Sequence, residues 1–148
     1  YRNIGSKAIN ENDLKWAKKI KLQNLSINGR AAFQSITKLN NCIELDCSTN
    51  YRHKLDKLPE LPECIKLNCS LNNLKELPDL PKCVNLDCSY NQLEKLPELP
   101  NCKKLDCSYN ELKHLPELPE CEYLNYSNKE IEEIPELPKI KNIINQSK

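Results

Sequence analysis

The chain has 148 residues, with 22 Lys and Arg against 21 Asp and Glu and a net charge of +1, so it suits one modest domain and offers no electrostatic case for nucleic acid or an anionic membrane. Its only glycines, Gly5 and Gly29, exclude glycine-rich phosphate loops, and no apolar run approaches the roughly 20 residues of a membrane span. It opens on Tyr1 instead of methionine and reads as a processed chain or a piece of a longer one.

Residues 1–21 read as an N-terminal cap. Asn10 can serve as an N-cap with Asp13 three residues on, and Ile9 can staple against Leu14. A short helix is therefore expected over Glu11–Lys19, with Trp16 and Ile20 sharing its apolar side and covering the end of the core. Residues 22–144 read as a repeat array and 145–148 as a tail. Leu22, Leu25, Ile27, Ile36 and Leu39 form a degenerate first coil without prolines or cysteines. Cys42, Leu45, Cys47 and Asn50 open the next coil, whose extra residues within Tyr51–Lys57 are expected to bulge as a loop. From Leu58 the sequence recurs every 19 residues as LPxLPxCxxLxCSxNxLxx. Cys64, Cys83, Cys102 and Cys121 form one column, and Cys69, Cys88 and Cys107 a second in which Tyr126 takes the next place. Leu137, Pro138, Ile140 and Ile143 begin a last partial copy, which makes about five full coils plus a partial one.

The spacing within a copy dictates its shape. Leu58, Leu61 and Cys64 are three residues apart, as are Pro59 and Pro62, and polyproline II has three residues per turn. After Cys64 the step shortens to two, at Leu67 and Cys69, the period of a strand. Each coil is thus a short strand plus a polyproline-like return. One coil has no second layer against which to bury its apolar edge, so neighbouring coils supply the core. Strands about 4.8 Å apart leave room for a thin return but not for a helix about 10 Å across. Asn50, Asn72, Asn91 and Asn110 are expected to form an interior ladder whose amides bond the backbone where the chain leaves the strand.

Cys64-x-x-Leu67-x-Cys69-x-x-Asn72-x-Leu74 resembles the LxxLxLxxNxL segment of leucine-rich repeats, with cysteine in two leucine places. The LPxLP half is similar to short repeats of bacterial effectors delivered into host cells and to cysteine-bearing repeat proteins of amoeba-infecting giant viruses. Bacterial short repeats usually run one residue longer, and Lys129 stands where the asparagine belongs, with Asn128 one place early. The resemblance spans residues 22–144 and implies a leucine-rich repeat solenoid. In it, short parallel β-strands line a concave face, polyproline II-like returns line a convex face, and one short N-terminal helix caps the array.

The nine cysteines have three readings. As small buried hydrophobes at inward positions they suit a reducing cytoplasm, which for an effector-like protein is inside a host cell. Disulfides between stacked cysteines are compatible with the coil spacing but need side chains that do not point in parallel. Zinc on Cys-x4-Cys lacks the usual closer pairs or histidine partners. Core thiols are the favoured reading.

Alternation along the strands sends Glu44, Lys66, Asn85, Lys104 and Tyr123 outward in one column and Asp46, Asn68, Asp87, Asp106 and Asn125 in the next. Beyond them come the serines Ser48, Ser70, Ser89, Ser108 and Ser127, then Thr49, Leu71, Tyr90, Tyr109 and Asn128. Tyrosine among carboxylates suits protein recognition. The expected centre is Asp87, Tyr90, Asp106 and Tyr109, with Lys66, Asn68, Lys104 and Tyr123 around it. On the opposite face Glu60, Asp79, Glu98, Glu117 and Glu136 stack as like charges, which Lys57, Lys82, Lys95 and Lys113 can offset. His53 and His114 stand in different coils and in no Ser/His/Asp or Cys/His order, so no catalytic residue is assigned.

The leading expectation is a monomeric scaffold that holds a partner protein on its concave face, with no cofactor and no metal. A substrate-recognition part of a ubiquitin ligase, implied by effectors that carry a separate ligase domain, and a purely structural module are the alternatives.

Overall fold

Leucine at the middle of each three-residue strand, flanked by polar residues, gives a strand that can bury one face only. A computed structural model describes residues 2–4, 11–22, 25–48, 52–128 and 130–145 of the chain. Its strands are β1 Arg2–Ile4, β2 Lys19–Leu22, β3 Glu44–Asp46, β4 Lys66–Asn68, β5 Asn85–Asp87, β6 Lys104–Asp106, β7 Tyr123–Asn125 and β8 Asn142–Ile144. All are parallel and lie in one sheet in chain order, so each strand pairs with the one before and the one after it. The chain is a parallel β-solenoid.

Leu45, Leu67, Leu86, Leu105 and Leu124 face one another in register, and none is more than 2% exposed. Burying one leucine side chain contributes about 1.5–3 kcal/mol, so stacking is favoured wherever another coil is present. The returns carry the second wall of the core through Leu61, Leu80, Leu99 and Leu118, all buried. Each return then folds back through a turn in which the Cys64, Cys83, Cys102 or Cys121 N–H donates to the carbonyl of the leucine three residues earlier at 3.2 Å. Proline stands second in each of these turns, where its fixed φ favours the bend. Proline also lacks an N–H. Among the described residues the returns form isolated bridges at Lys38 with Glu60 and His114 with Glu133, and the Asn73, Gln92 and Glu111 N–H groups donate to the Leu55, Leu74 and Leu93 carbonyls of the preceding coil at 2.9 Å.

The N-terminal part departs from expectation. Helix α1 covers Glu11–Leu14 only, because Lys19-Ile20-Lys21-Leu22 alternates with a period of two and pairs as β2 between β1 and β3. Ile20 is therefore a strand residue, fully buried, while Trp16 stands 75% exposed with Lys15 Nζ 5.6 Å from its ring centroid. Leu14, not Trp16, enters the core. The proposed cap and staple residues Asn10 and Ile9 lie outside the described residues. The sheet itself thus begins before residue 22, with β1 and β2.

The degenerate coil differs too. Its return is helix α2, Ile27–Ser35, in which Ser26 Oγ accepts the Gly29 N–H at 3.1 Å as an N-cap. No proline interrupts it, and Ala31 and Ala32 favour it. Ile27 is exposed on this helix, whereas Leu25, Phe33, Ile36 and Leu39 are buried. A helix fits here because the following coil carries the insertion. Arg30 on α2 reaches the Lys54 carbonyl and the Asp56 carboxylate of that inserted stretch.

The asparagine ladder is present at Asn72, Asn91 and Asn110. Asn91 Oδ1 accepts the Leu74 N–H of the preceding coil at 3.0 Å, and its Nδ2 donates to the carbonyls of Cys69, Cys88 and Ser89 at 3.0, 3.0 and 3.2 Å. Asn72 and Asn110 repeat the pattern one coil either side. Asn50 lies outside the described residues, as does Lys129. Asn128 instead donates to the Leu112 carbonyl at 2.8 Å.

One residue before each ladder asparagine the backbone is left-handed. Leu71, Tyr90 and Tyr109 have φ of 60°, 54° and 55°, a conformation that asparagine or glycine adopts at lower cost. Replacing Leu71 with Asn is expected to raise stability by about 0.5–1 kcal/mol in urea unfolding. An equal or lower midpoint would mean that Leu71's contacts outweigh its strain.

Ion pairs run along the stack at the repeat spacing. Lys82 binds both oxygens of Glu63 (2.9 and 2.7 Å) and Lys139 both oxygens of Glu120 (2.7 and 2.6 Å). Lys141 bonds Glu122, and this bond holds the Glu122 carboxyl below its usual range. Lys82 consequently serves Glu63 and not the acidic column between the prolines. In that column Glu60 pairs with Lys38 at 3.2 Å.

Candidate functional site

The strand face is built by the outward residues on either side of each central leucine. Lys66, Asn68, Asp87, Lys104, Asp106 and Tyr123 line a groove of about 400 Å³ on it, together with Glu44, Asp46 and Asn85. Tyr90 and Tyr109 stand just beyond, at the left-handed positions. Their rings stack with centroids 4.3 Å apart at 14° and remain 49% and 51% exposed. Partial burial and the Tyr109 hydroxyl beside it raise the Tyr90 phenol above its ordinary value. The eight residues expected at the site thus lie on one continuous face, six in the groove and two forming an aromatic edge.

Glu44 is a groove residue that sequence reasoning placed in the column without selecting it. It joins Lys19 at 3.1 Å and Lys66 at 3.3 Å, so the N-terminal end of the groove is a closed ion trio. The alternating signs of Lys19, Glu44 and Lys66 at one register position were the available signal. Lys21 and Asp46 continue it at 3.7 Å. Among the described residues Lys104 makes no salt bridge.

The serine column is not on offer to a partner. Ser70, Ser89, Ser108 and Ser127 are at most 8% exposed, because the chain turns inward after the strand and each hydroxyl finds an acceptor two residues back. Ser89 donates its N–H and Oγ–H to Asp87 Oδ1 at 3.1 and 2.7 Å, and Ser108 does the same to Asp106 Oδ1 at 3.1 and 2.6 Å. Asn68 and Asn125 accept from Ser70 and Ser127 in the same way. Asn125 Nδ2 also donates to Asp106 Oδ2 at 2.9 Å. Such local side-chain bonds set the turn that follows each strand.

Behind the sheet all nine cysteines are buried free thiols. The first-column thiols donate to the carbonyl two residues on, for example Cys64 to Lys66 at 3.3 Å and Cys121 to Tyr123 at 3.2 Å. Burial pushes Cys64 up to about 11 and Cys42 and Cys102 up to about 12. It raises the other six as well. A nucleophilic cysteine needs the opposite, an exposed and electropositive setting. Tyr126 fills the cysteine place in β7's coil, and its hydroxyl accepts from Asn145 Nδ2 at 2.9 Å.

Among the described residues no group of three or more His, Cys, Asp or Glu is arranged to hold a metal ion, and no helix is long and apolar enough to cross a membrane. Compared with family models, with curated proteins and with solved structures, the chain matches none of them.

Proposed function

We propose that the chain is an interaction module of the leucine-rich-repeat type that holds a partner protein on its strand face, centred on Asp87, Tyr90, Asp106 and Tyr109. The observation that carries this reading is the exposed Tyr90–Tyr109 stack. Two large rings occupy left-handed positions where asparagine costs less. Strain retained at exposed side chains is characteristic of functional surfaces, and tyrosine is among the residues that dominate binding energy. The free, buried thiols fit a reducing compartment.

The test is capture by the immobilised chain, compared with a variant carrying Asp87→Asn, Tyr90→Asn, Asp106→Asn and Tyr109→Asn. Asn68 and Asn125 already hold the turn at the aspartate position and asparagine tolerates the left-handed backbone of the tyrosine position, so the fold is expected to persist, which circular dichroism checks. A partner retained by the parent and lost by this variant, but kept by Glu98→Gln/Glu117→Gln on the opposite face, is the expected result. Retention by the four-fold variant would overturn the assignment of the face.

A further inference from the structure

We infer that the protein segment held on this face presents an arginine, whose guanidinium lies over the Asp87 and Asp106 carboxylates and against the neighbouring tyrosine stack. This rests on the strand-face reading above and names the chemistry of its partner. Asp87 and Asp106 face each other in parallel register on β5 and β6, on strands about 4.8 Å apart. Elsewhere in the column no two described neighbours carry like charge: the order is Lys21, Asp46, Asn68, Asp87, Asp106, Asn125. Among the described residues neither aspartate has a salt-bridge partner.

The charge exceeds what the fold requires. Asn68 and Asn125 hold their serines through the same Oδ1 bonds that Asp87 and Asp106 use, so the serine turn needs no charge at 87 or 106, and only Asp106 Oδ2 has a further use, accepting from Asn125 Nδ2. The aromatic rings are likewise surplus, since Leu71 takes the same left-handed backbone without one. Both surpluses fall in the same two coils and on the same face. Paired carboxylates beside an exposed aromatic stack complement one group best. A guanidinium is a planar cation that forks onto carboxylates, stacks on aromatic rings and loses less hydration than an ammonium. A small metal cation would need more oxygen ligands than this pair provides.

The experiment titrates the isotopically labelled full chain with N-acetyl-arginine amide, N-acetyl-lysine amide and the neutral isostere N-acetyl-citrulline amide, following amide chemical shifts by NMR. The arginine compound is expected to move the signals of Ser89, Tyr90, Ser108 and Tyr109 about five-fold more than either control, and Asp87→Asn/Asp106→Asn is expected to abolish the difference. Equal shifts from citrulline or from lysine would overturn the assignment of a guanidinium. A displayed peptide library separates this from the broader reading. Enriched binders that lack arginine but are lost on Tyr90→Asn/Tyr109→Asn would keep the face and refute the arginine, whereas binders indifferent to every strand-face change would refute both.

Discussion

Raising the pH from 7 to 9.5 is expected to remove about 6 kcal/mol of folding stability, a large part of what holds a typical domain folded. An unfolded thiol ionises around its ordinary value of 9.0, whereas burial keeps the folded thiols protonated to about 11 or beyond. A group whose pKa is raised on folding contributes fully below its unfolded pKa, and that contribution drains away as the pH rises toward the folded value. Half a unit above 9.0, each strongly raised thiol released from the core favours the unfolded state by about 0.8 kcal/mol, and the eight cysteines other than Cys121 are raised in this way. Urea unfolding at a series of pH values under reductant measures the slope. Thiolate absorbance should rise together with the loss of circular dichroism, since ionisation requires opening of the core. Replacing Cys88 by Val should remove about 0.8 kcal/mol of the loss at pH 9.5. A stability that stays level between pH 7 and 10 would show that the thiols ionise in place.

The second large effect belongs to Asn91, which is 9% exposed and ties two coils through four hydrogen bonds. Asn91→Ala is expected to cost about 1–3 kcal/mol, because the buried Leu74 N–H loses its acceptor outright while the Cys69, Cys88 and Ser89 carbonyls each lose one of two donors and keep Asn72, Asn110 and the Leu71 N–H. Asn91→Asp tests the geometry more severely. A carboxylate keeps the acceptor for Leu74 but turns a donor toward three carbonyls into a charge, so at neutral pH the Asp variant should melt below the Ala variant. Lowering the pH should narrow the gap, since a protonated carboxyl can again donate. Melting of Asn91→Ala indistinguishable from the parent would mean that the ladder is replaced by water at no cost.

The centre of the array was legible in the sequence because each residue type there answers a single physical demand. Leu67 and Cys69 alternate as a strand must, and Asn72 recurs where a buried turn needs a donor and an acceptor at once. The N-terminal coils were harder because two signals competed. Asn10 and Asp13 promised a helix through Lys19, while Lys19-Ile20-Lys21-Leu22 already alternated with a period of two. The strand prevailed because β3 offered it an edge to pair with. Helix α2 was signalled by Ser26 and a run without proline, and was missed because the apolar positions alone were matched to the repeat. The serine column defied simple alternation since the strand ends at Asn68, and Ser70 already belongs to the turn. Lys82 was assigned by closeness in sequence, whereas the solenoid brings together residues one period apart, here Glu63. The strand-face residues were legible as positions, because outward columns follow from the strand period. Their pairing was not, since the Tyr90–Tyr109 stack depends on a left-handed backbone that no local residue choice announces.

The reach of the ladder bonds has a hereditary consequence. Each asparagine is tied to its own coil and the one before, at identical offsets for Asn91 and Asn110, so a duplicated block of 19 residues would restore at its far seam every bond it severs at its near one. The strand face can therefore lengthen or shorten by copying or losing a gene segment. Each new coil arrives already folded in register, with its outward residues free to diverge.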